Sequence, residues 1–191
     1  GASKGEGLGN KFLSNLAEVD AIVHVVRCFE DSDITHVDKN LSPLNDIEII
    51  ETELILSDYS KIENIIENIR KKNKGKKINP DLIETLQKAI EILDKGIFLN
   101  QSDFDNIQLN ILSDYNLLTL KPIIYVSNVD ESSVCTGNKL SNLVDNYAEK
   151  KKTKNLKISA QIESEISIIE NNFNCLNFNN PRGNEIIFRN S

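Results

Sequence analysis

Two short polar loops, each directly behind an apolar strand, hold the residues of this sequence that are best placed for chemistry. They span 128–131 and 159–161. Amide and carboxylate oxygens accept hydrogen bonds and backbone N–H groups donate them, so two such loops can match the edge of a nucleobase. The candidate nucleotide-binding residues are Asn128, Val129, Glu131, Ser159, Ala160 and Gln161.

The first loop differs from the loop by which guanine-reading nucleotidases select their base. Those proteins place Asn-Lys-x-Asp after a strand, where the Asp accepts two hydrogen bonds from guanine and the Lys stem covers the base. Here Val129 replaces the lysine, and Glu131 sets the carboxylate one methylene further out. Losing that buried hydrogen bond costs on the order of 1–3 kcal/mol, so the loop is predicted to suit a different base.

Each loop also has a simpler interpretation. Asn-x-x-Glu occurs by chance in many proteins. Its position directly behind a buried strand makes it a more specific indication of a base-reading loop here. In the second loop Ser159 is a good helix cap, and taken alone the Ser159-Ala160 pair favours capping over base recognition.

The sequence contains no motif for phosphate binding or phosphoryl transfer. Nowhere does it contain Gly-x-x-x-x-Gly-Lys-[Ser/Thr], the loop that supplies backbone donors for phosphates and a hydroxyl for Mg²⁺. Residues 1–12 are rich in glycine, which suits either a switch loop beside a γ-phosphate or a disordered terminus. We therefore assign no catalytic residue and no metal ligand.

The elements that must position the two loops are buried parallel strands. Apolar runs predict strands at 20–29, 122–127 and 156–159, and a helical pattern at 138–152 joins the last two. A strand–helix–strand unit of this kind predicts an α/β fold with a mainly parallel sheet.

A long helical region separates the first two strands. Steps of three and four predict one apolar stripe along a first helix and another along a second helix that starts at 79–81 and ends before Gly96. The first stripe is Ile47, Ile50, Leu54, Ile62, Ile65 and Ile69, and the second is Leu82, Leu86, Ala89 or Ile90, and Leu93. Asp58 stands where the first stripe predicts an apolar residue. A third helix is expected at 103–118.

The turn between the first two helices is strongly basic. Residues 70–77 carry six Lys or Arg in eight positions, which suits either a prong for RNA phosphates or a solvated loop, and we favour the loop. The net charge of −7 argues against a surface that coats nucleic acid but leaves room for one basic patch.

The few cysteines and histidines indicate a protein of a reducing compartment that has no metal centre built from histidines. Cys28, Cys135 and Cys175 form no Cys-x-x-Cys pair, so we predict a cytoplasmic protein without disulfides. Cys28 is predicted to be a buried core residue rather than a nucleophile. His24 is predicted to lie within the first strand with its polar atoms hydrogen-bonded. No run is long enough to span a membrane. From Asn171 the sequence becomes asparagine-rich and loses its periodicity, with one candidate strand at 185–189.

Together these segments resemble the YchF or Obg-like ATPase family, within the Obg-related P-loop GTPase superfamily. The resemblance covers about residues 1–168 and is carried by 1–13, 19–29, 46–54, 128–131 and 159–166. It implies a Ras-like nucleotide-binding domain, at 1–45 and 119–168, with a helical coiled-coil insertion at 46–118. The segment 169–191 is then an irregular tail. Because the chain starts at Gly1 inside this similarity, it is expected to be a fragment without the P-loop and the C-terminal TGS domain.

The resemblance also implies a function. Members of the family are ribosome-associated nucleoside-triphosphate hydrolases that prefer ATP to GTP and use Mg²⁺, for which this chain has no ligand. By position, main-chain atoms of Val129 are implied to read adenine, and 159–161 to form the last base-contacting loop. Three hypotheses remain open: a fragment inactive by itself, a split enzyme completed by another polypeptide, and a non-enzymatic module that binds ribosome or protein through its helical hairpin.

Overall fold

The computed structural model describes residues 8–30, 41–72 and 79–174. The helices are α1 (Leu8–Ala17), α2 (Pro43–Lys72), α3 (Pro80–Asp94), α4 (Asn106–Ser113), α5 (Lys139–Lys150) and α6 (Ala160–Asn174), and the strands are β1 (Ile22–Arg27), β2 (Ile123–Asn128) and β3 (Asn155–Ile158). None of the helices in these ranges is long and apolar enough to cross a membrane.

The three strands form one parallel sheet in the order β1-β2-β3. Each lies within two residues of a strand predicted from its apolar run, and α5 connects β2 to β3 as predicted. The α/β fold inferred from the sequence is thereby confirmed. Cys28 directly follows β1 and is fully buried, and burial raises the pKa of its thiol.

Helix α2 contributes to two apolar cores. Near its start, Ile47 and Leu54 pack with the sheet, whereas Ile62 and Ile66 pack with α3 further along. The stripe predicted from the sequence is wrong at Ile50, which is exposed. Ile65 and Ile69 are partly buried against the core shared with α3, and Ile66, which the stripe did not include, is buried there as well. The first turns of α2, which include Ile47 and Leu54, pack in the core beneath the sheet.

Capping residues and left-handed residues in the sequence determine where α3 and α4 begin and end. The Asn79 side chain accepts a hydrogen bond from the Asp81 N–H, and Gly96 ends α3 with a φ of 71°. Helix α4 is shorter than the predicted 103–118. Asp105 and Gln108 form a capping box at its start, and Asn116 adopts a left-handed φ of 46° soon after its end.

The ends of the chain differ from expectation where the structure describes them. Helix α1 begins at Leu8, so the last part of the glycine-rich stretch 1–12 is helical, and α6 runs to Asn174, into the segment expected to be an irregular tail. Residues 1–7, His36, most of the basic turn 70–77, and 175–191 with the possible strand at 185–189 lie outside the described residues.

Asp58, the polar interruption of the α2 stripe, is buried and holds the chain just before β2. Its carboxylate accepts hydrogen bonds from the Leu118 N–H at 2.9 Å, the Thr119 N–H at 2.7 Å and the Thr119 hydroxyl at 2.6 Å. Burial raises the pKa of Asp58, and the hydrogen bonds from Thr119 offset part of that rise. One carboxylate thus satisfies three buried donors that would otherwise be unpaired.

Glu51, about two helical turns nearer the start of α2 than Asp58, joins the helix to the sheet and to α5. It is buried and accepts hydrogen bonds from the hydroxyls of Tyr125 and Tyr147, the latter at 3.0 Å, and from the Lys151 ammonium at 3.1 Å. Burial and the nearby Glu51 carboxylate raise the pKa of both tyrosines, so their hydroxyls remain donors.

His24 in β1 contradicts the expectation of a satisfied histidine. Its Nδ1 is buried and has no hydrogen-bond partner within the described part of the chain. Burial lowers the pKa of the imidazole from 6.5, although Glu51 and Asp46 act in the opposite direction. The side chain is therefore held neutral beside the Tyr125 ring, whose centroid is 5.9 Å away.

We expect this histidine to make the fold less stable in acid. Below pH 6.5 the unfolded chain binds a proton at His24 that the folded chain does not, so stability present above pH 6.5 is lost as the pH falls towards the lowered folded pKa. The free energy of unfolding in urea should be lower at pH 5.5 than at pH 7.5, and His24→Phe should reduce that loss. An equal loss in both proteins would assign the effect to other groups.

Candidate functional site

The parallel pairing of β2 and β3 brings the two candidate loops to one edge of the sheet. Asn128 is in register with Ile158, so both strands end side by side. In open α/β sheets, ligands bind beyond the carboxyl ends of the strands. The loops 128–131 and 159–161 leave the sheet at that edge.

Asn128 ties the two loops together. Its side-chain Oδ1 accepts a hydrogen bond from the Ala160 N–H at 3.0 Å, and its backbone carbonyl accepts one from Cys28 N–H at 2.7 Å. The same residue therefore fixes the start of the second loop and the end of β1. Because the Ala160 N–H already has this partner, it is not free to donate to a base.

Val129 is a core residue, and its side chain is only 2% exposed. Its N–H donates to the Ile158 carbonyl at 2.8 Å. The side chain points into the apolar core and cannot cover a base as a lysine stem would. The carbonyl oxygen is then the main-chain atom of Val129 that could meet a base.

Asp130, which the sequence analysis did not single out, shapes the loop from within. Its carboxylate accepts hydrogen bonds from the hydroxyls of Ser132 and Ser133, the second at 2.9 Å to both oxygens. These hydrogen bonds, that from Ser132 foremost, lower the pKa of Asp130. The turn they stabilise begins at Glu131, whose side chain is exposed. Short Asp–Ser spacing was the available signal.

In the second loop, Ser159 lies where it can cap helix α6, and the two residues after it are exposed. Ser159 is buried, and its hydroxyl lies 3.5 Å from the Ile162 N–H, at the long end of a hydrogen bond. This geometry fits the helix-capping interpretation. Ala160 and Gln161 are exposed on the first turn of α6. No hydrogen bond within the described ranges joins Glu131 or Gln161 to the opposite loop.

Asn138 is a second residue that the sequence analysis missed. It caps α5 by accepting from the Ser141 N–H at 2.9 Å, and its Nδ2 donates to the Cys28 carbonyl at 2.7 Å. The end of β1 is therefore fixed from both sides, by Asn138 and by Asn128. An asparagine just before a helical pattern is the signal that predicts such a cap.

The described residues do not fit a magnesium ion. Within 8–30, 41–72 and 79–174, no three side chains of His, Cys, Asp or Glu come together as a metal site. Of the two carboxylates in the loop 128–131, Asp130 is already engaged by two serine hydroxyls, and Glu131 is exposed. No chemical step is therefore assigned to a metal held by these residues.

Comparison with known proteins gives consistent relatives. No protein-family model matches the chain. The ribosome-binding ATPase YchF of Pasteurella multocida is 41% identical over 171 residues, which are 89% of this chain and 47% of that protein. The protein of the same name from Bacillus subtilis is 42% identical over 175 residues, again 89% and 47% of the two chains. The chain spans about half the length of the curated relatives it matches.

A solved structure agrees with these relatives. The YchF GTPase of Schizosaccharomyces pombe superposes with a TM-score of 0.75 at 29% identity, covering 92% of this chain and 50% of that one. The parallel sheet and the helices that flank it therefore have a counterpart in a nucleotidase of known structure.

Proposed function

The chain belongs to the YchF family of Obg-like proteins, and from this premise we propose that it forms the base-reading part of a nucleotide-binding domain in a ribosome-associated ATPase. In this proposal Asn128, Val129 and Glu131 with the loop 159–161 hold the base of ATP, and GTP binds more weakly. The chain acts in the cytoplasm, where ribosomes work. Phosphate and Mg²⁺ are held by a segment that this sequence does not contain.

The observation that carries the proposal is the hydrogen bond between the two loops. Asn128 Oδ1 lies 3.0 Å from the Ala160 nitrogen, at the carboxyl edge of the sheet. A site that reads a flat base needs two loops held at a fixed separation, and this bond supplies that restraint.

Hydrogen-bond chemistry supports adenine as the preferred base. The Val129 N–H is already used by Ile158, which leaves its carbonyl, an acceptor, for the base. Adenine presents an amino donor at the position where guanine presents a carbonyl acceptor. A main-chain acceptor here therefore favours adenine.

The proposal is tested by nucleotide titration in a completed domain. The chain is fused behind the part of the P. multocida relative that precedes the matched segment, and fluorescent ATP and GTP analogues are titrated separately. Tighter binding of ATP supports the proposal, and equal or reversed affinities contradict it. As a matched control, Asn128→Ala should weaken both nucleotides alike, because it loosens both loops rather than one base contact.

A second candidate function is ribosome binding through the helical region alone. Helices α2 and α3 share an apolar core with α4, which includes Ile62, Leu86 and Leu112. Such a hairpin can project from the sheet and hold a partner without nucleotide chemistry. Co-sedimentation of the chain with ribosomes in the absence of nucleotide would favour this function.

We expect the chain by itself to show no ATP hydrolysis. The sequence lacks the phosphate-binding loop with its lysine and its magnesium-binding hydroxyl, on which transfer of the γ-phosphoryl group depends. Phosphate release should equal that of buffer at every ATP concentration. Turnover that co-purifies with the chain and disappears in a Glu131→Ala or Asn128→Ala variant would refute this expectation.

A further inference from the structure

A network of polar side chains lies where β2, β3 and α5 meet, next to the two candidate base-reading loops. Ser127, which precedes Asn128, is fully buried, and its hydroxyl donates to Asn155 Oδ1 at 3.0 Å and accepts from Asn155 Nδ2 at 2.9 Å. Asn155 Nδ2 also donates to Asp145 Oδ1 on α5, at 2.9 Å. The Lys157 ammonium donates to the other oxygen of Asp145, at 2.7 Å. The four side chains therefore tie both strands to the helix close to the edge where the loops leave the sheet.

The network occupies a face of the sheet that elsewhere forms an apolar core. Ile123 and Tyr125 lie on the same face of β2 as Ser127, and both pack in the core that includes Val144 and Ala148 of α5. Attachment of α5 alone does not require an ion pair, because well-packed apolar residues often replace such a pair at no cost in stability. A fully hydrogen-bonded network adds one fixed arrangement of the groups that it joins.

Lys157 also contacts the loop that leads from Glu131 to α5. A Cβ at Gly137 would lie 2.8 Å from Lys157 Cε, so the lysine stem runs directly against the backbone of this loop. Gly137 has a left-handed φ of 74°, and its N–H donates to the Ser133 carbonyl at 2.7 Å. The stem can swing away from the loop only if its ammonium leaves Asp145. The ion pair therefore holds the lysine against the loop.

We propose that Lys157, held by Asp145, is a positioning residue of the base site that fixes the distance between its two loops. The inference rests on the proposed function, because it concerns the same loops. Lys157 lies on β3 two residues before Ser159, which begins the second loop, and its stem supports the continuation of the first loop at Gly137. One side chain thus links both halves of the site from behind.

The first test follows amide hydrogen exchange in the chain itself. Lys157→Met keeps a long, unbranched side chain but removes the charge that Asp145 holds. The N–H of Gly137, which donates to the Ser133 carbonyl, should exchange about three- to tenfold faster in the variant, because the loop loses its support. The N–H of Ile22, which donates to a carbonyl at the opposite end of the sheet, should exchange at the rate of the parent.

The second test separates base recognition from phosphate binding in the completed domain. ATP and inorganic triphosphate, which has no base, are each titrated calorimetrically with Mg²⁺ against the parent and Lys157→Met. ATP should bind about three- to tenfold more weakly to the variant, a size typical of coupling between contacting residues, and inorganic triphosphate should bind as it does to the parent. The matched control, Lys154→Met, removes the same charge from an exposed lysine just before β3 and should alter neither affinity.

Equal weakening of ATP and inorganic triphosphate by Lys157→Met would indicate a general loss of stability and overturn the inference. Unchanged affinities, or a weaker ATP affinity without faster exchange at Gly137, would overturn it as well, and in these cases the proposed function stands. If Lys157→Met does not fold, Asp145→Asn, which removes the ion pair but keeps one acceptor oxygen, is judged by the same criteria. A parent domain that binds ATP no more tightly than inorganic triphosphate refutes the proposed function and this inference with it.

Discussion

Replacing Asp58 with alanine should lower the free energy of unfolding by about 3 kcal/mol, the largest stability effect that we expect from a single substitution in the described chain. The variant leaves the N–H groups of Leu118 and Thr119 and the Thr119 hydroxyl buried without their acceptor. Each unsatisfied buried donor costs about 1–3 kcal/mol, and relaxation of the turn recovers part of the sum.

Urea denaturation at pH 7 measures this effect, with Glu48→Ala as the matched control. Glu48 is an exposed carboxylate on the same helix, so its removal should change the free energy of unfolding by no more than about 0.5 kcal/mol. Asp58→Asn should fall between the two, because its amide keeps one acceptor oxygen and turns a donor towards the remaining N–H. Equal losses for Asp58→Ala and Glu48→Ala would show that the buried carboxylate contributes nothing specific.

The same residue shows what the sequence could and could not predict. The break in the stripe at Asp58 was visible, because apolar periodicity is a local property. Its partners lie some 60 residues away, in a turn without periodicity, and only the folded chain brings them together. Glu51 is a similar case, since a glutamate on an amphipathic helix is assigned to solvent unless its tyrosine partners are known.

Strands and helices were predictable to different degrees. Continuous apolar runs indicate strands that are covered on both faces, and β1, β2 and β3 lie close to their predicted positions. On α2, Ile65, Ile66 and Ile69 all contact the core shared with α3, and the periodicity alone did not show that Ile66 is the most buried of the three.

The candidate site likewise has features that the sequence predicts and features that it does not. The polar residues behind two apolar strands identified both loops from the sequence, whereas the hydrogen bond from the Ala160 N–H to Asn128 Oδ1 is seen only in the fold. The inward direction of Val129 and the serine bonds of Asp130 depend on the path of the loop. That path follows from turn geometry, which a single sequence does not reveal.

The largest expected change in ligand binding is a switch of base preference. In the completed domain described above, Val129→Lys with Glu131→Asp should move the ratio of ATP to GTP affinity towards GTP by about ten- to a hundredfold. The shorter carboxylate regains the two donors on the edge of guanine, and a hydrogen bond of this kind to a charged group contributes on the order of 1–3 kcal/mol. Titration of both nucleotides against parent and variant measures the change.

The burial of Val129 decides how this switch must be controlled. Because its side chain is 2% exposed, a lysine at this position has to turn out of the core to bring its ammonium to water, and that change costs stability. Glu131 is exposed, so Glu131→Asp alone leaves the core intact and should produce most of the shift through the carboxylate. Melting curves accompany each titration, so that affinities are compared only between folded proteins. If folded Glu131→Asp keeps the ATP:GTP ratio of the parent, the loop 128–131 does not set base choice through its carboxylate.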